Sequence, residues 1–406
     1  MKPGKTTTRN DQGLIPNQAA MARYRVARIR KELEEQEAAA ALFMDPVNVR
    51  YCTGSRNMQI WSLRNPARYV LVPLTGPVVM FEFSGCEHLL SGLEIIDEIR
   101  PATAWFFFTA GPRLGERAGI WATEIADLVQ QHGGGNMRLA IDRVNPEGYQ
   151  ALCAKNVEVI DGQQVAERAR AIKSVDEVLG IESALDVAEH ALRAVEEKLS
   201  PGITENELLG ILHHENLIHD GEYGETRLLT SGPRTNPWYQ EASNKAVEAG
   251  ELVAIDTDLI GPGGFFADLS RTFLCGDRRP TGPQRDLYAL AYEQLQHNVE
   301  LIRPGASFRE VSMNSWYMPE VYRPRRYMSL VHGAGLSGEY PYIPYPQDFA
   351  AKGYEGHIEE NMTLCVESYI GSVEGREGVK LETPVLVTES GTRVLGNYPY
   401  ESRMLR

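Results

Sequence analysis

The chain has 406 residues, enough for two domains with separate hydrophobic cores, and its 43% apolar and 24% charged residues are typical of a folded globular protein. Its formal net charge of −14 at pH 7 argues against nucleic acid and membranes as partners. The five cysteines are scattered and form no CxxC pair, so we expect reduced thiols and a cytoplasmic protein. We expect neither a signal peptide nor a membrane span, because no apolar run is long enough.

The first part of the chain predicts a polar tail or dimer arm over residues 1–20 and a mixed α/β domain over residues 21–170. Apolar runs of strand length alternate there with segments of helical periodicity, as in a mixed sheet. Neither a GxGxxG nor a phosphate loop is present, which argues against a nucleotide site. The predicted helices cover residues 17–36, 116–131 and 147–155, and the predicted strands cover residues 40–44, 69–72, 77–83, 138–142 and 157–160.

The second predicted domain covers residues 171–406 and opens with two helices that carry N-terminal capping boxes. In a capping box, a Ser or Thr and a Glu three residues later satisfy each other's free backbone N–H groups. The pairs are Ser174 with Glu177 and Thr204 with Glu207. Strands over residues 227–230 and 252–255 and a helix over residues 284–301 follow.

The stretch AIDTDLIGPGGFFADLSRT, residues 254–272, predicts a hairpin that places three acids together. Asp256 and Asp258 share one face of the first strand, because side chains alternate with period two. The Gly-Pro-Gly-Gly turn then returns the chain and brings Asp268 opposite them. Such acids are either solvated on the surface or, if they converge, bound to a cation.

Three later segments favour the metal site. His332 follows an apolar run in MSLVHGAG, Glu367 ends the run LCVE, and Glu382 lies in the strand-like VKLETPVL. An oxygen-rich site with one imidazole suits Mn, Fe, Co or Zn, and two metals that share bridging carboxylates need about this many ligands.

The order Asp, Asp, His, Glu, Glu resembles the pita-bread metalloenzymes, which include creatinase, prolidase, aminopeptidase P and methionine aminopeptidase. The matching motifs are DLSRTF, HGAGL, VES and VKLE. The resemblance implies an α/β (α+β) fold with an N-terminal creatinase-like domain and a C-terminal pita-bread domain, and a homodimer. It also implies a dinuclear metal site, with Asp256 as an additional acid, so either Asp256 or Asp258 is the main ligand of the hairpin. The implied ligands are Asp258, Asp268, His332, Glu367 and Glu382.

The chain is more similar to a narrower group, the DddP-type lyases that cleave dimethylsulfoniopropionate (DMSP) into dimethyl sulfide and acrylate. The motifs are DPVNVRY, RNMQIW, GCEHL, SGPRTNPW, RYMSLVHG and VESYIG. This resemblance implies iron as the metal, with Mn, Co or Zn as alternatives, and a small charged substrate. A sulfonium cation favours aromatic faces, and Arg234 is either a clamp for the substrate carboxylate or part of a loop salt bridge. The candidate aromatic residues are Trp61, Trp238, Tyr239, Tyr327 and Tyr340.

Two departures limit the activity that the resemblance implies. Peptidases of the family use two further histidines, where this chain has Trp238-Tyr239 and Glu339, which argues against a prolidase. The lyases use an aspartate as general base, where this chain has Gly338. Proton abstraction is then expected from Glu339, Tyr327 or a metal-bound hydroxide. We therefore expect base-assisted β-elimination of DMSP or a related molecule, with metal-dependent C–N hydrolysis and a silent metal-binding protein as alternatives.

Overall fold

The computed structural model describes residues 16–405, and their contacts divide them into a unit from Pro16 to Arg170 and a unit from Ala171 onward. Of the predicted N-terminal tail, residues 1–15 lie outside the described residues. Among the described residues, none of the helices combines the length and the apolar character that a membrane crossing requires.

The N-terminal unit is a mixed sheet covered by helices. Its strand order is β4-β3-β2-β1-β5-β6, with antiparallel pairs in the β1–β2–β3 part and parallel pairs elsewhere. Trp105 and Trp121 lie in its core. The elements are α1 (Gln18–Glu35), β1 (Ala40–Phe43), α2 (Pro46–Thr53), α3 (Gln59–Arg64), β2 (Tyr69–Pro73), β3 (Val79–Glu82), β4 (Glu98–Pro101), α4 (Phe107–Ala110), α5 (Leu114–His132), β5 (Arg138–Ile141), α6 (Pro146–Cys153), β6 (Glu158–Asp161) and α7 (Gly162–Ala171).

The C-terminal unit carries a five-stranded sheet in the order β14-β13-β15-β16-β17, with two smaller three-stranded sheets beside it. The helix α10 packs against β15 and β16, and β12 packs against β16. The elements are α8 (Val175–Lys198), α9 (Glu205–Ile218), β7 (Tyr223–Gly224), β8 (Leu229–Ser231), β9 (Leu252–Asp256), β10 (Leu259–Ile260), β11 (Phe266–Ala267), β12 (Ser270–Leu274), α10 (Gly282–Glu300), α11 (Phe308–Met313), β13 (Val331–Ala334), β14 (Gly338–Ile343), α12 (Pro346–Lys352), β15 (Thr363–Ile370), β16 (Val379–Thr388) and β17 (Gly391–Val394).

Both predicted capping boxes are confirmed. Ser174 and Thr204 accept hydrogen bonds from the backbone of Glu177 and Glu207, whose side chains bond back to the N-cap residues. The helix α10 has a third capping box, Thr281 with Gln284, which the sequence analysis missed. The short helices α2 and α3 were missed as well, since neither is long enough to show a helical period.

Candidate metal centre

The acid hairpin differs from the prediction at Asp258. The strand β9 pairs with β12 only as far as Asp256, which lies opposite Ser270. Asp258 follows with a left-handed φ of 40°, before β10 pairs with β11. Asp256 and Asp258 are therefore not on one continuous strand face, since the left-handed residue turns the chain between the two short strands.

The turn at Asp258 nevertheless directs its carboxylate toward the other two acids. Oxygens of Asp256, Asp258 and Asp268 all lie within 4.8 Å of one another, and all three residues are buried. Thr226 donates a hydrogen bond to Asp258. Thr257 joins the two halves of the hairpin, because its hydroxyl donates to the Ala267 carbonyl at 2.8 Å and accepts from the Leu269 N–H at 3.0 Å.

The five-stranded sheet supplies the other predicted ligands. Glu367 on β15 lies opposite Glu382 on β16, and His332 on β13 sits at a bulge that interrupts the pairing with β14. His332 Nε2 lies 3.2 Å from Glu367 Oε1, 3.5 Å from Asp268 Oδ2 and 3.8 Å from Glu382 Oε1. The structure thus brings the hairpin acids, the histidine and both glutamates into one cluster.

A lysine that the sequence analysis missed lies in the same cluster. Lys380 Nζ is 2.7 Å from Glu367 Oε2, 3.2 Å from Glu382 Oε2 and 3.3 Å from Asp256 Oδ2, and its side chain is fully buried. The signal was present in VKLE, because period-two alternation places Lys380 and Glu382 on the same face of a strand that is otherwise apolar. One ammonium offsets only part of the negative charge of the surrounding carboxylates.

The titration behaviour of the cluster reflects this excess of negative charge. Burial, reinforced by the neighbouring carboxylates, raises the pKa of Asp258 and Asp268 well above the usual range. Burial also raises the pKa of Asp256 to about 6, although Lys380 opposes the shift. Burial alone would lower the pKa of His332, but its hydrogen bond to Glu367 and the charges of Glu367 and Glu382 raise it to about 9. Without cations, the cluster is therefore stabilised by bound protons.

The donor atoms fit two divalent cations. Asp268 belongs both to the group Asp256–Asp258–Asp268 and to a second group with His332, Cys365 and Glu382, and would therefore lie between two metals. Within the described residues, the buried atoms Asp268 Oδ1 and Glu382 Oε1 have no hydrogen-bond partner. Buried carboxylate oxygens left unpaired are costly, and cation binding would satisfy them.

Two of the predicted aromatic residues adjoin the cluster. Tyr239 stacks on Tyr327 with ring centroids 5.3 Å apart, and Lys380 Nζ lies 4.7 Å from the centroid of the Tyr327 ring. Tyr239 is 45% exposed, whereas Tyr327 is buried. Burial and the charge of Glu367 raise the pKa of both hydroxyls, so both are protonated at neutral pH. The pair presents one exposed and one buried ring beside the acids.

The other predicted substrate-binding residues of this unit have structural partners. Trp238 is buried in the core with its ring 6.1 Å from that of Tyr369, and Tyr340 packs against Phe308 and Tyr354. The Arg234 guanidinium donates to Glu205 at 3.1 Å, so the structure forms the loop salt bridge, the second of the two predicted alternatives.

Trp61 lies in the N-terminal unit. Its ring packs edge-to-face against Phe83 and Phe106, with centroids 5.8 and 6.2 Å away. Its predicted role in substrate binding stays a prediction.

The Glu339 side chain lies on the opposite face of the strand β14 from a side chain at position 338, where a general base was expected. A Cβ on Gly338 would point toward His332 Nδ1, 4.0 Å away, and the next side chain on the strand β14 points to the opposite face. There, Lys173 Nζ donates to Glu339 Oε1 at 2.5 Å, and both side chains are buried. This geometry argues against Glu339 as a replacement for a base at position 338.

Comparison with known proteins agrees with this architecture. Residues 180–389 match metallopeptidase family M24, and residues 25–172 match the creatinase/prolidase N-terminal domain. The chain is 36% identical, over 96% of its length and 89% of theirs, to proteins named dimethylsulfoniopropionate lyase DddP from Roseovarius nubinhibens and Roseobacter denitrificans. It is 28% identical to an Xaa-Pro dipeptidase of Pyrococcus furiosus, over 57% of this chain and 64% of that one. An Xaa-Pro dipeptidase structure from Bacillus anthracis shares the fold with a TM-score of 0.76 at 21% identity, covering 94% of this chain and 99% of that one.

Proposed function

The chain belongs to metallopeptidase family M24, and from this membership we propose that it is a metal-dependent lyase for DMSP or a related small charged molecule. The observation that carries the proposal is the 36% identity, over 96% of the chain, to two proteins named DMSP lyases. In the proposed β-elimination, the carbon next to the substrate carboxylate loses a proton. The C–S bond breaks, its electron pair leaves on sulfur, and dimethyl sulfide and acrylate are released.

The acid cluster would hold two divalent cations. Iron is the metal that the family resemblance favours, with Mn, Co or Zn as alternatives suited to the same oxygen and imidazole donors. When bound, the cations supply Lewis acidity that holds the substrate carboxylate and acidifies the adjacent C–H bond. The proposed ligands are Asp256, Asp258, Asp268, His332, Glu367 and Glu382.

The stacked pair of Tyr239 and Tyr327 would bind the sulfonium end of the substrate. A cation gains energy over the face of a tyrosine ring, and the Lys380 ammonium already lies near the Tyr327 ring. Tyr239 is exposed at the edge of the cluster and would meet the substrate as it enters.

We assign proton transfer to Tyr327, because position 338 is a glycine and Glu339 faces Lys173. Burial and the nearby carboxylates, Glu367 foremost, hold the pKa of Tyr327 well above its usual range. The hydroxyl is therefore a hydrogen-bond donor in the metal-free protein. To accept the substrate proton it must first ionise, which requires bound cations and the neighbouring Lys380 ammonium to offset both the burial and the carboxylate charges.

Hydrolysis of a C–N bond in a small non-peptide substrate is the second candidate. The observation in its favour is the missing carboxylate at position 338, because the elimination then depends on Tyr327 as its base and a hydrolysis does not. Glu367, the carboxylate nearest to His332, would then carry the proton between water and the leaving nitrogen.

The test measures dimethyl sulfide in the headspace, and acrylate in solution, over iron- or manganese-loaded protein with DMSP. We expect equal amounts of both products and a loss of about 10²-fold or more in Tyr327→Phe, whereas the exposed control Tyr317→Phe keeps full activity. Absence of product over metal-loaded protein would overturn the lyase proposal. A panel of small amide and guanidino substrates would then test hydrolysis.

Metal analysis tests the proposed ligands separately from turnover. Asp268→Asn and His332→Ala are expected to lose metal, whereas Asp286→Asn, at an exposed acid outside the cluster, keeps it. Full metal content in both cluster variants would refute the assignment.

We also propose a cytoplasmic homodimer. All five cysteines are free thiols, and the N-terminal unit exposes Phe107 and Phe108 by 71% and 78%. Exposed aromatic residues of this size are common at interfaces between subunits. Light scattering at the mass of a monomer would exclude the dimer.

A further inference from the structure

A cluster of two histidines and one glutamate lies outside the acid centre, on the paired helices α8 and α9. His190 is on α8, Glu215 is on α9, and His219 caps the C-terminal end of α9. Each residue offers a ligand atom, and these atoms lie within 4.8 Å of one another. We propose that His190, Glu215 and His219 form a second metal site, which takes one borderline divalent cation such as Zn²⁺ and links the two helices.

The distances match the spacing of zinc ligands. Ligand atoms at about 2.05 Å from a tetrahedral zinc ion lie about 3.4 Å apart. Here, Glu215 Oε2 is 3.3 Å from His190 Nε2 and 3.8 Å from His219 Nδ1. Two imidazoles and a carboxylate leave the fourth position to water, as in zinc sites with three protein ligands.

The site is accessible from solution. The side chains of His190 and His219 are 49% and 41% exposed, and His190 and Glu215 line a surface cavity of about 660 Å³. His219 Nδ1 also lies 2.8 Å from the Glu215 backbone oxygen, and the half-exposed ring can exchange this hydrogen bond for a metal bond.

The alternative role of these residues is a hydrogen-bonded surface cluster without metal. The two imidazole rings are 4.6 Å apart, so if both were protonated their charges would repel. A neutral imidazole ring is a common metal ligand. An exposed ion pair would add little to stability, whereas a metal held by both helices stabilises their packing.

The proposed site lies on a helix that also supports the acid hairpin. The helix α8 also packs behind the acid hairpin, where Gly180 contacts the Phe265 ring and Ala184 contacts Gly261. A cation between α8 and α9 would therefore hold together the helical layer that supports the acid hairpin. This binding is independent of the chemistry at the acid cluster.

The experiment is a zinc titration by calorimetry on full-length protein whose acid cluster is already loaded with metal, followed by metal analysis. We expect one additional zinc equivalent and a rise in melting temperature in the parent. His190→Ala and His219→Ala should each lose that equivalent and the rise, while keeping the metal of the acid cluster. His297→Ala, which removes an exposed imidazole from α10, should keep both.

If either alanine variant unfolds, the glutamine variant at the same position, His190→Gln or His219→Gln, is measured instead. Anomalous scattering at the zinc edge locates the ion in crystals of the parent protein. Zinc located on the helix pair, and lost in the cluster variants, supports the site. An unchanged stoichiometry in the cluster variants, or an equal loss in His297→Ala, overturns it.

Discussion

Lys380 Nζ lies 2.7 Å from Glu367 Oε2, in the middle of the acid cluster. The other oxygen of Glu367 lies 3.2 Å from His332 Nε2. The two oxygens of Glu382 also face different residues. Its Oε2 lies 3.2 Å from Lys380 Nζ, and its Oε1 lies 3.8 Å from His332 Nε2. Both glutamates therefore lie between the Lys380 ammonium and the His332 imidazole, and both would be available as ligands to bound cations.

Replacing Lys380 by Met should destabilise the metal-free protein more than the metal-loaded protein. The side chain is fully buried, and breaking a buried ion pair costs about 3–5 kcal/mol because it leaves uncompensated charge. Bound cations would offset the same carboxylates, so the loss should shrink on loading. Urea unfolding of both forms measures the difference, with the exposed Lys352→Met as control. An equal loss in both forms would mean that Lys380 does not share the carboxylates with metal.

Metal binding should tighten as the pH rises toward 9. The pKa of His332 is raised to about 9 in the folded metal-free protein from an ordinary value of 6.5, so a metal must displace a proton below that pH. The apparent affinity should rise roughly tenfold per pH unit for each displaced proton and level off above about pH 9. Calorimetry in two buffers of different ionisation enthalpy at pH 7.5 counts the protons released. Release of none would contradict the charged state of His332.

The stability of the metal-free protein should change in the opposite direction over the same range. Because the folded-state pKa of His332 is raised, its contribution to stability is fully present below about pH 6.5 and is lost as the pH rises through about 9. Unfolding free energies measured with a chelator present should therefore fall between these values. In His332→Ala this fall should be smaller, and an unchanged fall would assign it to other groups.

Glu339→Gln should affect stability more than turnover. Glu339 accepts a hydrogen bond from the buried Lys173 and points away from position 338, so removing one charge of the pair costs about 3–5 kcal/mol. The double variant Lys173→Met, Glu339→Leu removes both charges and should recover part of that loss. We expect the rate constant of folded Glu339→Gln to stay within about tenfold of the parent. A much larger loss with an unchanged melting temperature would identify Glu339 as a base.

The sequence predicted the fold class and the set of acids because both follow from local rules. Strand periodicity and apolar runs place Glu367 and Glu382 at buried strand positions, and Ser174 and Thr204 start their helices through local hydrogen bonds. The family resemblance added the creatinase-like and pita-bread domain types, and the matches to the creatinase/prolidase N-terminal domain and to metallopeptidase family M24 confirm them.

Other features depend on contacts between distant segments. The left-handed backbone at Asp258 is fixed by the switch of partner strands, and the partner of Glu339 lies on a segment far away in the sequence. Trp238 was interpreted as one wall of an aromatic cage, but the core of its unit encloses it. The direction in which such side chains point is set by tertiary packing, which composition and spacing do not encode.

Gly338→Asp should increase DMSP cleavage. A Cβ at this position meets only His332 Nδ1, at 4.0 Å, and Gly338 is not among the residues with a positive φ, so a side chain fits without backbone strain. An aspartate there would place a carboxylate beside the cluster, where a general base contributes about 10²–10⁴-fold. Headspace dimethyl sulfide over metal-loaded protein measures the gain, and Gly338→Asn controls for size without adding a base. Equal rates in the two variants, at equal metal content, would mean that a carboxylate at position 338 does not act as a base on DMSP.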